Sequence, residues 1–263
     1  MIPKKIHYIW FGGKPLPEDA ERCIASWKRF CPDYEIVRWD ESNFDLDSNA
    51  YVNEAYKAKK WAFVSDYVRL WVLVNFGGVY MDTDVEIRDS LDPFMKHRAF
   101  SGFESPDAVP TGIMACETGF PLFQELLDDY SSRHFIKEDG TYDLCTNVMA
   151  ITHHCLAKGL VLNNTYQEID GFALYPNDWF CPKSHETGVI NLTENSVAIH
   201  HFSGSWVDPL EKELLQERRS LINKHPKLPP LFAGAFVRLR YGFTHGDFSP
   251  FLSTLRLYIR SRN

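Results

Sequence analysis

At 263 residues, 44% hydrophobic, 14% aromatic and 24% charged, the chain is long enough to bury a sizeable core and is neither a disordered tail nor a small stapled scaffold. A net charge of -7 excludes a protein that coats nucleic acid by neutralising phosphates. Six cysteines with no CxxC pair read as reduced thiols of a cytoplasmic protein rather than a zinc site or a disulfide frame, and no stretch approaches roughly 18 unbroken apolar residues.

The opening run Ile2-Pro3-Lys4-Lys5-Ile6-His7-Tyr8-Ile9-Trp10-Phe11 stops at Gly12-Gly13, as a buried strand ending in a loop does. Cys23, Ile24, Trp27 and Phe30 recur at helical spacing after Pro17 and are halted by Cys31-Pro32, and Tyr34 to Asp40 reads as a second strand. Strand, helix, strand is the rhythm of a parallel sheet with crossover helices, so the fold class is α/β. Tyr51 to Asn75 reads as one helix, apolar on most sides, with Asp66 and Arg69 at i and i+3 on its buried face. A structural ion pair and a ligand-facing pair both fit that placement. Lys57, Lys59 and Lys60 read as a solvated first turn.

Val79 to Ile87 reads as a strand carrying acids at alternate positions. Helices are expected over 121–136 and 143–158, and a strand over Val197-Ala198-Ile199 leading into His200-His201. From Pro209 the chain is helix-rich and basic: residues 217–263 hold nine Lys/Arg against two Asp/Glu, a net +7 that leaves -14 for residues 1–216.

Side chains two apart on a strand project to one face, which sets Asp82 and Asp84 about 7 Å apart along the backbone and within reach of a common ion. Paired carboxylates suit Mg²⁺ or Mn²⁺ with a diphosphate filling the remaining positions. An isolated DxD also arises by chance as a solvated strand end. The phosphatases that place DxD after an apolar strand want Thr or Val two residues beyond the second Asp, where this chain has Glu86.

The context is more specific than the pair. Ala62-Phe63-Val64-Ser65-Asp66-Tyr67-Val68-Arg69-Leu70, then Gly77-Gly78-Val79-Tyr80-Met81-Asp82-Thr83-Asp84, together with the first strand, resembles the DXD-containing sugar-nucleotide glycosyltransferases. These include bacterial capsular and lipopolysaccharide sugar transferases, fungal initiating α-mannosyltransferases and, more distantly, clostridial glucosylating toxins. The resemblance implies a GT-A fold, a Rossmann-like and mostly parallel sheet, over residues 1–208, with a basic helical extension over 209–263. It implies that Ile9 and Trp10 line the nucleobase pocket, Asp66 and Arg69 hold donor sugar and phosphate, Tyr80 sits beside the nucleotide, and Gly77 and Gly78 let backbone approach. Asp82 would contact the ribose or a metal-bound water, and Asp84 the metal. His201-Phe202-Ser203-Gly204-Ser205-Trp206 resembles the family's C-terminal loop, in which His201 would complete the metal shell, with the adjacent His200 as the alternative, and Ser205 and Trp206 would close over the diphosphate. Asn147 would be a sugar contact.

The implied reaction is a retaining transfer of a hexose from a nucleotide-diphosphate sugar, a UDP-sugar ahead of a GDP-sugar, to a glycan or lipid-linked saccharide in surface polysaccharide synthesis, with Mn²⁺ or Mg²⁺ as cofactor. A nucleotidyltransferase and a non-catalytic sugar-binding protein are the alternatives. Glu104 and Asp107 either face the acceptor or are solvated loop acids. In the tail, Arg238, Arg240, Arg256, Arg260 and Arg262 interleave with Phe236, Leu239, Phe243 and Phe251, the makeup of an interfacial segment facing anionic lipid on the inner membrane face or of a packed helical hairpin.

Overall fold

The structure, a computed structural model, describes residues 1–109, 112–205 and 207–260, the side chains of 256–260 aside. The chain divides into two compact units, Met1–Lys183 with Ile190–Ser203, and Ser184–Val189 with the described residues from Gly204 onward. The second unit therefore starts at Gly204 rather than at the expected Pro209, and takes in a short segment from within the first.

In chain order the first unit carries β1 (Lys5–Ile9), α1 (Glu18–Phe30), β2 (Glu35–Trp39), α2 (Ala50–Lys57), α3 (Trp61–Phe76), β3 (Gly78–Met81), β4 (Val85–Ile87), β5 (Ala99–Gly102), β6 (Ile113–Cys116), α4 (Pro121–Asp128), α5 (Asn147–Ala157), β7 (Gln167–Ile169), β8 (Phe172–Tyr175), α6 (Asn177–Phe180) and β9 (Ala198–His200). Among the described residues seven strands form one sheet in the order β2-β1-β3-β6-β5-β8-β7. β1 runs parallel to β2 and β3, and β5 to β8, while β6 and β7 oppose their neighbours, so five strands share one direction. The mostly parallel sheet is as expected.

Strand alternation builds two cores. Ile6 and Tyr8 of β1 with Val79 and Met81 of β3 face Ile24 and Trp27 of α1, whose indole Nε1 donates to Val85 O at 2.7 Å. Ile9 and Tyr80 face the other way, onto Val64, Val68 and Leu73 of α3. Side chains from the second face, Asp82 included by its i+2 relation to Tyr80, are thus delivered toward α3.

Two expected elements are divided. The helix over Tyr51 to Asn75 breaks at Ala58–Lys60, where Lys59 takes a left-handed φ of 57° and Lys60 N bonds back to Ala55 O at 2.9 Å. Lys57 ends α2, and Lys59 and Lys60 lie in the break before α3, rather than forming a first turn. The strand over Val79 to Ile87 is cut after Met81: Asp82 O accepts from Val85 N at 3.0 Å, turning the chain, and β4 leaves the main sheet to pair antiparallel with β9.

The second unit is helical, with α7 (Pro209–Lys224), α8 (Pro230–His245) and α9 (Ser249–Arg260). Asp208 caps α7 through Leu210 N, and Gly246 ends α8 in the left-handed region.

Candidate active site

The Asp82-Thr83-Asp84 turn joins the main sheet to the β4–β9 ribbon, and the register of that ribbon sets Val85 opposite His200. His200 is thereby carried to the acids: its Nε2 lies 3.5 Å from Asp84 Oδ1 and 3.9 Å from Asp82 Oδ2. Alternation along the strand turns the next residue away, and His201 Nε2 instead meets Glu86 Oε2 at 2.8 Å. His201 as a partner of the two acids is therefore corrected to His200. Glycine at 112 makes room for the ring, since a Cβ there would stand 2.8 Å from His200 Nδ1.

Asp82 belongs to a closed circuit. Its Oδ1 accepts from Tyr80 Oη at 2.5 Å and lies 3.3 Å from Arg69 Nη2, which also lies 3.4 Å from Asp66 Oδ1. Arg69 Nε donates to Ser65 O at 3.1 Å, and the guanidinium stacks over the Tyr80 ring with Cζ 4.6 Å from its centre. The Asp66 Oδ2 accepts from Asn147 N, the first residue of α5, at 3.3 Å. Burial pushes the Asp66 carboxyl up to about 6 despite the Arg69 charge, while the carboxylates around Arg69 outweigh its burial and hold it protonated.

Asp84 is different. Its Oδ2 accepts from Ser203 N at 2.7 Å, yet its Oδ1 is buried with no hydrogen-bond partner. Burial alone would raise this carboxyl; the facing His200 charge and the Ser203 N–H outweigh it and bring it down to about 2. His200 is the counterpart, burial opposing its charge and the Asp84 carboxylate holding the imidazole well above its usual value. On the far side of the ring Nδ1, also buried without a hydrogen-bond partner, faces Glu104 Oε1 at 3.7 Å. Burial, against the pull of His200, raises the Glu104 carboxyl.

One donor atom from each of Asp82, Asp84 and His200 lies within 4.8 Å of the others, and these three can hold a metal ion. Two carboxylates and an imidazole suit Mn²⁺ or Mg²⁺, and an orphaned buried carboxylate oxygen is what a cation would complete.

The other expected site residues divide. Ile9 ends β1, where the β1–β3 register, continued from Ile6 with Val79 and His7 with Tyr80, sets it level with Asp82; Trp10 follows the strand, and its Nε1 donates to Lys14 O at 2.7 Å. Tyr80 is buried behind Asp82 and orients it. Gly78 starts β3, at the opposite end of the strand from the acids; its φ of 96° and a Cβ that would meet Lys5 O at 2.8 Å explain the glycine by packing. Asn147 is committed within the core, its Nδ2 donating to Asp66 O at 2.6 Å and its Oδ1 accepting from Tyr130 at 2.8 Å. Ser205 lies in the second unit, and Trp206 lies outside the described residues. Glu104, expected to face the acceptor or to be a solvated loop acid, lies against His200, and Gly112 is an addition that no local pattern marked.

The strands of this α/β sheet end at three groups able to hold a divalent ion, the place where ligands sit in open α/β sheets generally. Residues 17–101, about a third of the chain, match the family described as "Glycosyltransferase sugar-binding region containing DXD motif". The match includes Asp66, Arg69, Asp82 and Asp84 and excludes Glu104 and His200. Inositol phosphoceramide mannosyltransferase 3 of Schizosaccharomyces pombe is 29% identical over 48% of this chain and 36% of its own length. A mannosyl phosphorylinositol ceramide synthase of Saccharomyces cerevisiae is 28% identical over 52% of this chain and 36% of its own. The chain thus spans little more than a third of either relative. Among solved structures, the galactosyltransferase LgtC, in complex with donor and acceptor sugar analogs, aligns with a TM-score of 0.41 at 14% identity, over 86% of this chain and 97% of that one. The glycosyltransferase GlyE of Streptococcus pneumoniae aligns at 0.47 and 10%, over 89% and 62%.

Proposed function

We propose that this chain is a metal-dependent, retaining hexosyltransferase that moves a sugar from a nucleotide-diphosphate donor to a lipid-linked saccharide or glycolipid at the cytoplasmic face of a membrane. One observation carries the reading: the buried Asp84 Oδ1, without a hydrogen-bond partner, in a cluster with Asp82 and His200 at the carboxyl end of β3. A bound Mn²⁺ or Mg²⁺ would neutralise charge on the departing diphosphate. The protein's own groups do the rest. Arg69, held by Asp66 and Asp82, keeps a fixed positive charge beside the acids, Tyr80 fixes the Asp82 carboxylate, and Asp66 sets the guanidinium from the other side. In a retaining transfer the leaving diphosphate takes the acceptor's proton, which asks position and charge of the protein and no nucleophile.

Both yeast relatives are named for mannosyl transfer to inositol phosphoceramide, which favours mannose and a lipid acceptor here. Synthesis of a surface polysaccharide is the other acceptor setting. The base follows from experiment: thermal shifts with UDP, GDP, CMP and their sugar conjugates, each with Mn²⁺ and with chelator. At a hundredfold excess over Kd a specific ligand stabilises by about 2.7 kcal/mol. A metal-dependent shift with one diphosphate, absent in Asp84→Asn, is expected, together with slow release of free sugar from the matching donor. A folded protein with no shift for any nucleotide ends the transferase reading.

A further inference from the structure

With a metal in place the site is short of positive charge. An imidazole that holds a metal is neutral, so Arg69 and a divalent ion together only balance Asp66, Asp82 and Asp84, before Glu104 is counted. A nucleoside diphosphate brings negative charge of its own and gains more when its bond to the sugar breaks. The segment expected to close over it, His201 to Trp206, contains no Lys or Arg, and His201 is engaged with Glu86.

A lysine reaches the same turn. The backbone of Lys183 is set by an isolated bridge to Ile190 and by the bond from Asn191 N to Pro182 O at 2.9 Å, and its half-buried side chain donates from Nζ to His201 O at 2.7 Å. His201 N donates to Asp84 O at 3.0 Å and Ser203 N to Asp84 Oδ2 at 2.7 Å, so a single residue links the ammonium to the acid turn. Phe202, which follows, holds a left-handed φ of 54°, strained for a residue with a Cβ, and the bonds from Lys183 on one side and to Asp84 on the other keep it there. A carbonyl asks only for a donor, whereas an ammonium brings three and a charge besides. Lys183 lies outside residues 17–101, and no pattern in the sequence marked it.

We propose that Lys183 is a further donor-binding residue, its ammonium meeting the diphosphate oxygens beside Asp84 and steadying them as they leave. This rests on the proposed metal-dependent transfer at the same site. The acceptor oxygen bonds to the anomeric carbon as the bond from that carbon to the diphosphate oxygen breaks. The electron pair stays on the departing oxygen, the acceptor's proton passes to the diphosphate, and Lys183 keeps its own.

The test titrates the full chain with UDP and GDP, and with UMP and GMP, which lack the second phosphate, by calorimetry with Mn²⁺ and with chelator. Mn²⁺ alone is followed by its paramagnetic resonance signal. Lys183→Gln keeps a donor for His201 O without the charge. It is expected to bind the preferred diphosphate about 10–100-fold more weakly with Mn²⁺ present, the range of a charge-assisted hydrogen bond, with a smaller change for the monophosphate and none for Mn²⁺ alone. Lys183→Arg, which restores the charge, is expected to recover most of the loss. A lysine that only braces the Phe202 turn would weaken Mn²⁺ and diphosphate equally in Lys183→Gln, and that result overturns the proposal, as does an unchanged diphosphate affinity. Wild type that binds no diphosphate more tightly with Mn²⁺ than with chelator ends the metal-dependent reading and this one together. Wild type that does, beside an unchanged Lys183→Gln, ends this one alone.

Discussion

Asp82 and Asp84 stand one residue apart in one turn, and their surroundings are opposites. Asp82 shares its Oδ1 between Tyr80 and Arg69, and Arg69 passes the connection on to Asp66 and the start of α5. Asp84 and His200 face each other at 3.5 Å and each keeps a buried atom with no hydrogen-bond partner. Buried polar groups are nearly always satisfied, so the first half of the site has the makeup of a scaffold and the second that of a receptacle. Removing a group from the closed half should therefore damage the fold, and removing one from the open half should damage binding.

Arg69→Met is the severest break of that contrast. It strands two carboxylates in the core, and removing one partner of a buried ionic cluster costs about 3–5 kcal/mol. Urea denaturation of the metal-free protein measures it. A loss below about 1 kcal/mol would show that the circuit is not closed as described. Asp84→Asn should do the reverse. Its amide oxygen can still accept from Ser203 N, and His200, without the facing carboxylate, can release its proton, so metal-free stability should fall less than in Arg69→Met, while donor turnover falls about 10²–10³-fold with the lost charge. Equal losses in both assays would erase the distinction between the two acids.

Glu104→Gln sharpens the contrast on the open side. The carboxylate faces His200 Nδ1 at 3.7 Å, where it can hold the proton on that nitrogen and leave Nε2 toward the two acids. Outer partners of this kind typically change metal affinity 10–100-fold. Titration with Mn²⁺, followed by its paramagnetic resonance signal, should show a loss in that range for Glu104→Gln with unchanged thermal stability. An unaltered affinity would leave Glu104 a bystander.

Much of this was legible locally. The first strand, the helix after Pro17 and the buried placing of Asp66 and Arg69 follow from periodicity, and the acids' reach toward a common ion follows from their spacing. What was hidden depends on distant partners. Alternation across Val79 to Ile87 fits one strand, and only the pairing of β4 with β9 cuts it at the acids. The same register decides between His200 and His201, which no adjacent residue distinguishes. The apolar spacing of α2 runs on into α3 across Ala58–Lys60, so the break between them is silent in the pattern. β5 and β8 are four-residue runs buried almost throughout, without an alternating face to betray them. Glu104 looks like any loop acid until β5 and β9 bring it to His200.

The smallest expected effect contrasts two histidines. His7 of β1 is as buried as His200 but complete: its Nε2 lies 3.0 Å from Gly77 O and its Nδ1 accepts from Trp39 Nε1 at 3.2 Å, which fixes the neutral tautomer with the proton on Nε2. Burial lowers its pKa to about 4 from an ordinary 6.5. Between those values the unfolded chain binds the proton and the folded one does not, so this contribution is full above pH 6.5 and is lost as pH falls through 4. Asp66, raised to about 6, acts with the opposite sign over part of the same window, so the observable is a difference between proteins. His200, raised, acts only above the ordinary histidine value and leaves the window clear. From pH 6 to 5, denaturation of wild type should lose about 1 kcal/mol more than His7→Gln, which keeps an amide donor and acceptor in place without the titration. Parallel slopes for the two proteins would mean that His7 is charged in the folded state, and that its bond to Trp39 is not the one described.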